Sequence, residues 1–244
     1  HADGGQVILQ ASAAGDIFSS VVNQSGVIRA RSLTHEDGIV RLDGGDSGQV
    51  TLAGTIDASG PASGQTGGRV SLLGESVTLT PTARIDVSGA GGGGTALIGG
   101  QFQGRGTEPT ATTTLVADRA SISADALTQG TGGTVIVWAD GHTQYAGTIS
   151  AQGGASGGHG GFVEVSGKQA LDFTGRVDTT APAGRTGTLL LDPSNITISS
   201  AANANISAAP TFTGTTATST LNVTTLQTAL ATNNVIVDTT SPFA

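Results

Sequence analysis

Cysteine is absent from all 244 residues, which excludes a disulfide framework and any thiolate metal site. A long stacked sheet needs no such staples, so the absence is compatible with export. Aromatic residues make up only 3% of the chain and charged residues 11%, fewer large side chains than a compact globular core normally uses. Ten basic residues face eighteen acidic ones, for a net charge of -8. The nearest basic cluster, Arg29, Arg31 and Arg41, is diluted by Glu36, Asp37 and Asp43. Nucleic-acid binding needs clustered Lys and Arg, so that class of partner is not expected. No apolar run approaches the roughly 18 residues of a membrane span. No basic stretch followed by an apolar one opens the chain at His1, so any targeting segment has been removed or lies outside it.

Glycine is plentiful at 39 residues, but without a period of three, and there is little proline, which excludes collagen. Glycine instead punctuates a recurring unit: GGQVILQ at Gly4–Gln10, SGQVTL at Ser47–Leu52, GGRVSL at Gly67–Leu72, GGTVIV at Gly132–Val137, GGFVEV at Gly160–Val165 and TGTLLL at Thr186–Leu191. A second unit answers it: GTIDASG at Gly54–Gly60, ARIDVSG at Ala83–Gly89, GTISAQG at Gly147–Gly153 and GRVDTTA at Gly175–Ala181. Alternating short units over most of a chain indicate a solenoid, whose small aliphatic columns are buried by stacking each repeat on its neighbours.

One stretch shows the coil. Val70, Leu72 and Leu73 form a strand, Val77 and Leu79 a second, and Ile85 and Val87 a third, with turns between them. Period-two alternation sends Val, Leu and Ile inward and Ser, Thr, Arg and Asp outward. Repeated Asn-Gly or Asp-Gly hairpin turns are missing, so an antiparallel sheet fits less well than an all-β, right-handed parallel β-helix. Gly133 and Gly161 are 28 residues apart, and Gly161 and Gly187 are 26, as expected when one corner of each coil is free to expand. The interval from Gly68 to Gly133 is predicted to hold two or three coils. The glycine-rich stretches Ser59–Gly68, Gly89–Gly94 and Gly153–Gly161 follow the second unit each time, so they are predicted to line one edge. About eight coils at roughly 4.8 Å spacing would make a rod about 40 Å long.

Composition shifts after Arg185, where glycine nearly vanishes. TLLLDPSNITI at Thr188–Ile198 reads as strand, turn, strand, with Pro193 and Asn195 setting the turn. The stretch Val223–Thr232 reads as a short helix capped by Thr224 or Thr225, with Leu226 and Leu230 on one face. NNVIVDTT at Asn233–Thr240 returns to strand. The domain organisation expected is therefore a β-helical region over residues 1–198 and a variant segment over 199–244, which could also open a further module.

Together these units, and above all LLLDPSNITI followed by TTLQTALATNNVIVDTT, resemble the secreted exoproteins of the filamentous haemagglutinin type, exported by the bacterial two-partner secretion route. The resemblance covers nearly the whole chain. It implies a right-handed β-helical fibre, secreted to the bacterial cell surface, acting in cell adhesion, aggregation or biofilm formation. It implies as partners a host-cell surface, a glycan or biofilm matrix polysaccharide, and an outer-membrane transporter for the parent protein. The family's N-terminal secretion domain carries Asn-rich motifs of the NPNG or NxxG kind. The chain is read as lacking them, and so as a segment outside that domain.

Residues with chemistry are few. Asp57 and Asp86 occupy matching places in the second unit, and Asp178 is related to them. A ladder of stacked acids could hold Ca²⁺ or act as paired carboxylates, although Ser150 interrupts it and the calcium-binding nonapeptide is missing. Aspartate beside glycine more often forms a turn. His142 and His159 could meet on adjacent coils but have no evident third ligand, so neither a metal site nor a catalytic centre is expected. Trp138 should point outward if Val135 and Val137 point inward, and Tyr145 follows on the next strand. Such aromatics could contact a sugar ring, or simply lie packed beneath a loop. The expectation is a non-enzymatic structural or adhesive segment without cofactor; the alternatives are a carbohydrate-binding module within the fibre and a β-helical polysaccharide-degrading enzyme.

Overall fold

The computed structural model describes residues 1–11, 21–33, 37–194, 196–202 and 219–238. Short alternating runs form strands, and the chain winds them into a parallel β-helix with three faces. The first sheet has eight strands: Gln6–Gln10, Ile39–Asp43, Arg69–Leu73, Thr95–Ile98, Thr134–Ala139, Phe162–Gly167, Thr188–Leu191 and Asn234–Val237. The second has six: Val21–Gln24, Gln49–Leu52, Ser76–Leu79, Thr113–Val116, His142–Tyr145 and Ala170–Phe173. The third also has six: Val27–Arg29, Thr55–Asp57, Arg84–Asp86, Ser121–Ser123, Thr148–Ser150 and Arg176–Asp178. The interval from Gly68 to Gly133 holds two coils, with first strands at Arg69–Leu73 and Thr95–Ile98.

Register makes the core columnar. Ile28, Ile56, Ile85, Ile122, Ile149 and Val177 stack in one inward column of the third sheet. In the first sheet Leu42, Leu72, Ile98, Val137 and Val165 do the same. All of these but Ile28 are buried, and full burial of such a side chain is worth roughly 1.5–3 kcal/mol. The second sheet puts two hydroxyls into its inward columns, and both are satisfied. Thr114 Oγ1 donates to the Trp138 carbonyl at 2.6 Å, and Thr143 Oγ1 to the Ser166 carbonyl at 2.7 Å.

The doubled glycine before the first-sheet strand has a steric cause. Gly38, Gly68, Gly94, Gly133, Gly161 and Gly187 stack at the corner between the third and first sheets. A Cβ at any of the last five would overlap the carbonyl oxygen of the glycine one coil earlier. Only glycine permits that approach. The glycine-rich expansions lie at this same edge, bridged coil to coil at Gly60 and Gly89 and at Thr66 and Gly92.

At the far end Ile196–Ser199 pairs in parallel with Ser219–Asn222, and a helix spans Val223–Leu230. Its cap is Asn222, whose side chain accepts from Thr224 N–H at 2.8 Å, where Thr224 or Thr225 was expected. The asparagine is one residue earlier and has the oxygen reach to satisfy the amide two positions on. Leu226 and the buried Ala229 turn toward the solenoid, while Leu230 is exposed. Asn233 then donates to the Val177 and Ala229 carbonyls, at 2.8 Å each, and so covers the last third-sheet strand. Asn234–Val237 rejoins the first sheet beside Thr188–Leu191, so the described part of 199–238 continues the solenoid. Asn195 and the polar stretch 203–218 lie outside the described residues.

Candidate functional site: the covered outer face of the first sheet

Between the strands Thr95–Ile98 and Thr113–Val116 the chain leaves the coil and lays residues 99–112 across the outward face of the first sheet. That face is unusually apolar under the loop: Leu97, Ile136 and Trp138 form a buried cluster of their own, with Phe162 packed against it. The Phe102 and Phe162 rings meet edge to face, 5.7 Å between centroids and 65° between planes. Gly104 sits on the Trp138 indole with φ of +62°, where a Cβ would come within 2.6 Å of the ring. The indole is closed from below too, since Trp138 Nε1 donates to Asp140 Oδ1 at 3.1 Å.

Polar pins hold the loop at both ends and in the middle. Gln103 N–H is shared by the two Glu164 oxygens at 3.2 and 3.1 Å, and Gln103 Nε2 donates to Asp192 Oδ2 at 2.9 Å. Arg41 donates to Glu108 at 2.7 Å and to Asp43 at 2.8 Å. Gln101 Oε1 accepts from Thr107 N–H at 3.0 Å and Glu108 N–H at 3.3 Å, which sets the loop's second bend. Glu164 is 0% exposed. Burial pushes its carboxyl up to about 7, with the Asp192 charge adding to this against the Gln103 and Ser166 hydrogen bonds.

Beside the loop the same face opens into a cleft of about 460 Å³. Leu97 and Ile136 floor it, Phe102 and Phe162 wall it, and Arg69, Arg105, Gln101 and Thr134 supply polar groups. Phe102 is 46% exposed. Among the described residues no carboxylate lines this cleft, in a chain with almost twice as many acids as bases.

The residues singled out from sequence lie elsewhere or play other parts. Trp138 does point out of the coil, but it is 0% exposed beneath the loop. Tyr145 points inward, is 0% exposed, stacks on Phe173 at 5.3 Å and donates to the Arg176 carbonyl at 2.6 Å. Burial pushes its hydroxyl well above the ordinary tyrosine range. Neither ring presents a face to solvent. Asp57 and Asp86 stack in register, with Ser123, Ser150 and Asp178 continuing the row. Each is occupied locally: Asp57 accepts from Ser59 N–H and Oγ and from Arg31 at 2.7 Å, and Asp86 from Ser88 N–H at 2.9 Å. These are turn-forming carboxylates. Among the described residues no group of three or more His, Asp or Glu side chains is placed to hold a metal ion. His142 and His159 do not meet: His142 Nε2 lies 2.8 Å from Asp172 Oδ2, and His159 Nδ1 accepts from Arg185 N–H at 3.1 Å.

No protein-family model and no curated protein matches the chain. Among solved structures it is similar to the HMW1 secretion domain from Haemophilus influenzae, with 27% identity and a TM-score of 0.56. The likeness covers 77% of this chain and 48% of that one, so the chain corresponds to about half of that structure's length. Together with the ladders of three parallel sheets, this likeness bears out the resemblance drawn from the repeats. The chain is a parallel β-helical domain similar to that secretion domain. The sequence has no NPNG, but Asn23-Gln24-Ser25-Gly26 is of the NxxG form, which corrects the reading that both are missing. It lies at the turn between Val21–Gln24 and Val27–Arg29, where a short polar run suits the sharp bend between sheets.

The loop residues Phe102, Arg105 and Glu108, and the sheet residues Arg69, Phe162, Glu164 and Asp192, were not picked out by repeat reading. The signal was present as an interruption. QFQGRGTEP at Gln101–Pro109 matches neither repeating unit and carries two charges in a chain poor in them.

Proposed function

We propose that this domain is a structural and adhesive segment of a large secreted bacterial surface fibre, serving attachment, aggregation or biofilm formation. The observation that carries this is the uninterrupted ladder of parallel coils, similar to the HMW1 secretion domain. Each coil is satisfied by its neighbours, so the fold extends by repetition and offers surface rather than an enclosed reaction chamber. Outward positions on the second and third sheets carry Gln49, Thr51, Thr78, Gln144, Thr55, Asp57 and Asp86, a hydrated polar surface suited to cell-surface or matrix partners. The parent protein would be passed through an outer-membrane transporter and act outside the cell.

Deleting the segment from the parent, with secretion followed by immunoblot, tests both parts. Retained export with reduced attachment or aggregation is expected. Unchanged attachment with normal export would remove the adhesive role, and lost export would move the segment into the secretion domain.

A second reading, a carbohydrate-binding module within the fibre, is favoured by the cleft beside residues 101–106 and its two arginines.

A further inference from the structure

We propose that this cleft is a binding site for a carboxylated saccharide, held by Arg69 and Arg105 against the Phe102 ring. The proposal deepens the carbohydrate-binding reading and rests on it. Three features point to that chemistry. Neither guanidinium has a hydrogen-bond or ion-pair partner among the described residues, a state shared with Arg119, Arg176 and Arg185 but not with Arg29, Arg31 and Arg41, which are each paired with a carboxylate. Arg69 stands in the outward row of the first sheet that continues through Thr95, Thr134 and Phe162, and Arg105 comes from the loop. Both arginines line a cleft that no acid among the described residues lines, so its charge suits an anion.

The shape selects among anions. A planar guanidinium fork matches a carboxylate in bidentate fashion. Among the described residues the lining holds no lysine, the point charge that often serves at phosphate sites. Phe102 is half-exposed, and Leu97 and Ile136 make an apolar floor, surfaces onto which the C–H face of a pyranose can stack. Thr134 and the Gln101 amide nitrogen are left to meet ring hydroxyls, because Gln101 Oε1 is engaged by the loop backbone. The volume of about 460 Å³ falls within the roughly 300–1,000 Å³ of small-molecule sites.

The loop is also rigidly presented. Gln103 is tied to Glu164 and Asp192, and Glu108 to Arg41, so Phe102 and Arg105 project from a fixed support. Preorganisation of this kind lowers the ordering cost of binding.

The test is titration of the whole domain with trigalacturonic acid, followed by calorimetry and by the fluorescence of the single tryptophan, Trp138, which lies under Gly104 beside the cleft. Neutral galactotriose and a sulfated galactan trimer serve as comparison ligands. Saturable binding of the uronate is expected, weakened about tenfold or more by R105A, lost in R69A/R105A, and reduced by F102A. Circular dichroism and thermal melts of each variant establish that it is folded. Equal binding of galactotriose, tighter binding of the sulfated trimer, uronate binding unchanged in folded R69A/R105A, or no uronate binding at millimolar concentration would each overturn the proposal. None of these outcomes bears on attachment by the deletion strain, so the two readings fail separately.

Discussion

The two faces of the first sheet solve opposite problems. The inward face is a repeat: Val40, Val70, Ala96, Val135, Val163 and Leu189 stack one above another, and any coil could stand in for its neighbour. The outward face has no period. Its corresponding row reads Arg41, Ser71, Leu97, Ile136, Glu164, Leu190, and a loop used once covers the middle of it. Stability therefore belongs to the repeating side, while individuality, and with it any recognition, belongs to the side the repeat leaves free.

The harshest way to break the repeating side is at its corner. Gly133→Ala places a methyl on the Gly94 carbonyl, backbone against backbone, and should cost on the order of 4 kcal/mol or prevent folding. Gly64→Ala meets nothing within 4 Å despite a φ of +78°, so it should cost only about 1 kcal/mol. Urea melts of the pair measure the difference; similar midpoints would mean the corner is not a steric pinch. Removing a column member by Ile149→Ala should cost about 2–5 kcal/mol, with the transition remaining cooperative.

The covered side should respond differently. Trp138→Ala empties the cluster beneath the loop, with an expected loss of about 3–5 kcal/mol. Its distinguishing sign is early tryptic cleavage at Arg105 while the coils stay folded. Cleavage no faster than in the parent would show that the indole does not hold the loop.

Titration sharpens the comparison further. The folded Glu164 carboxyl lies near 7, above its ordinary value of 4.5, so the folded state binds the proton more tightly than the unfolded state. Its contribution is full below about pH 4.5 and is lost as pH rises through 7, on the order of 3 kcal/mol across that window. Besides the paired Asp192, the loop carries Gln103 onto this carboxyl, and Arg41 and Glu108 close the same strap. Glu164→Gln should flatten the pH dependence of the melt between pH 5 and 7.5; an unchanged slope would assign it to another group. The smallest effect is expected at the end of the solenoid, where Asn222→Ala removes the helix cap for about 1 kcal/mol, read from the thermal midpoint.

Legibility followed the same division. The coil at Gly67–Gly89 was readable because strand period and inward column are both local properties: Val70, Leu72, Val77, Leu79 and Ile85 all lie where alternation puts them. The second-unit aspartates were readable as turn formers, since Asp57 and Ser59 meet two residues apart. Trp138 shows the limit. Its direction followed from parity, but its burial depends on a loop that begins in the preceding coil and crosses the strand from outside. Tyr145 was grouped with it only because it follows on the next strand; with His142 and Gln144 outward it falls on the inward parity and stacks on Phe173. Arg69 and Arg105 could not be associated at all, because one belongs to a repeat and the other to the interruption, and only the crossing of the loop sets them at one cleft.

The amino-acid sequence by itself determined a parallel β-helix, its columns and its glycine corner, because each depends on residues that recur at short, regular distances. Tertiary structure alone decided which outward residues are covered, where Glu164 loses its water and where Arg69 and Arg105 come to share one cleft, because those follow from contacts between segments that no local period relates.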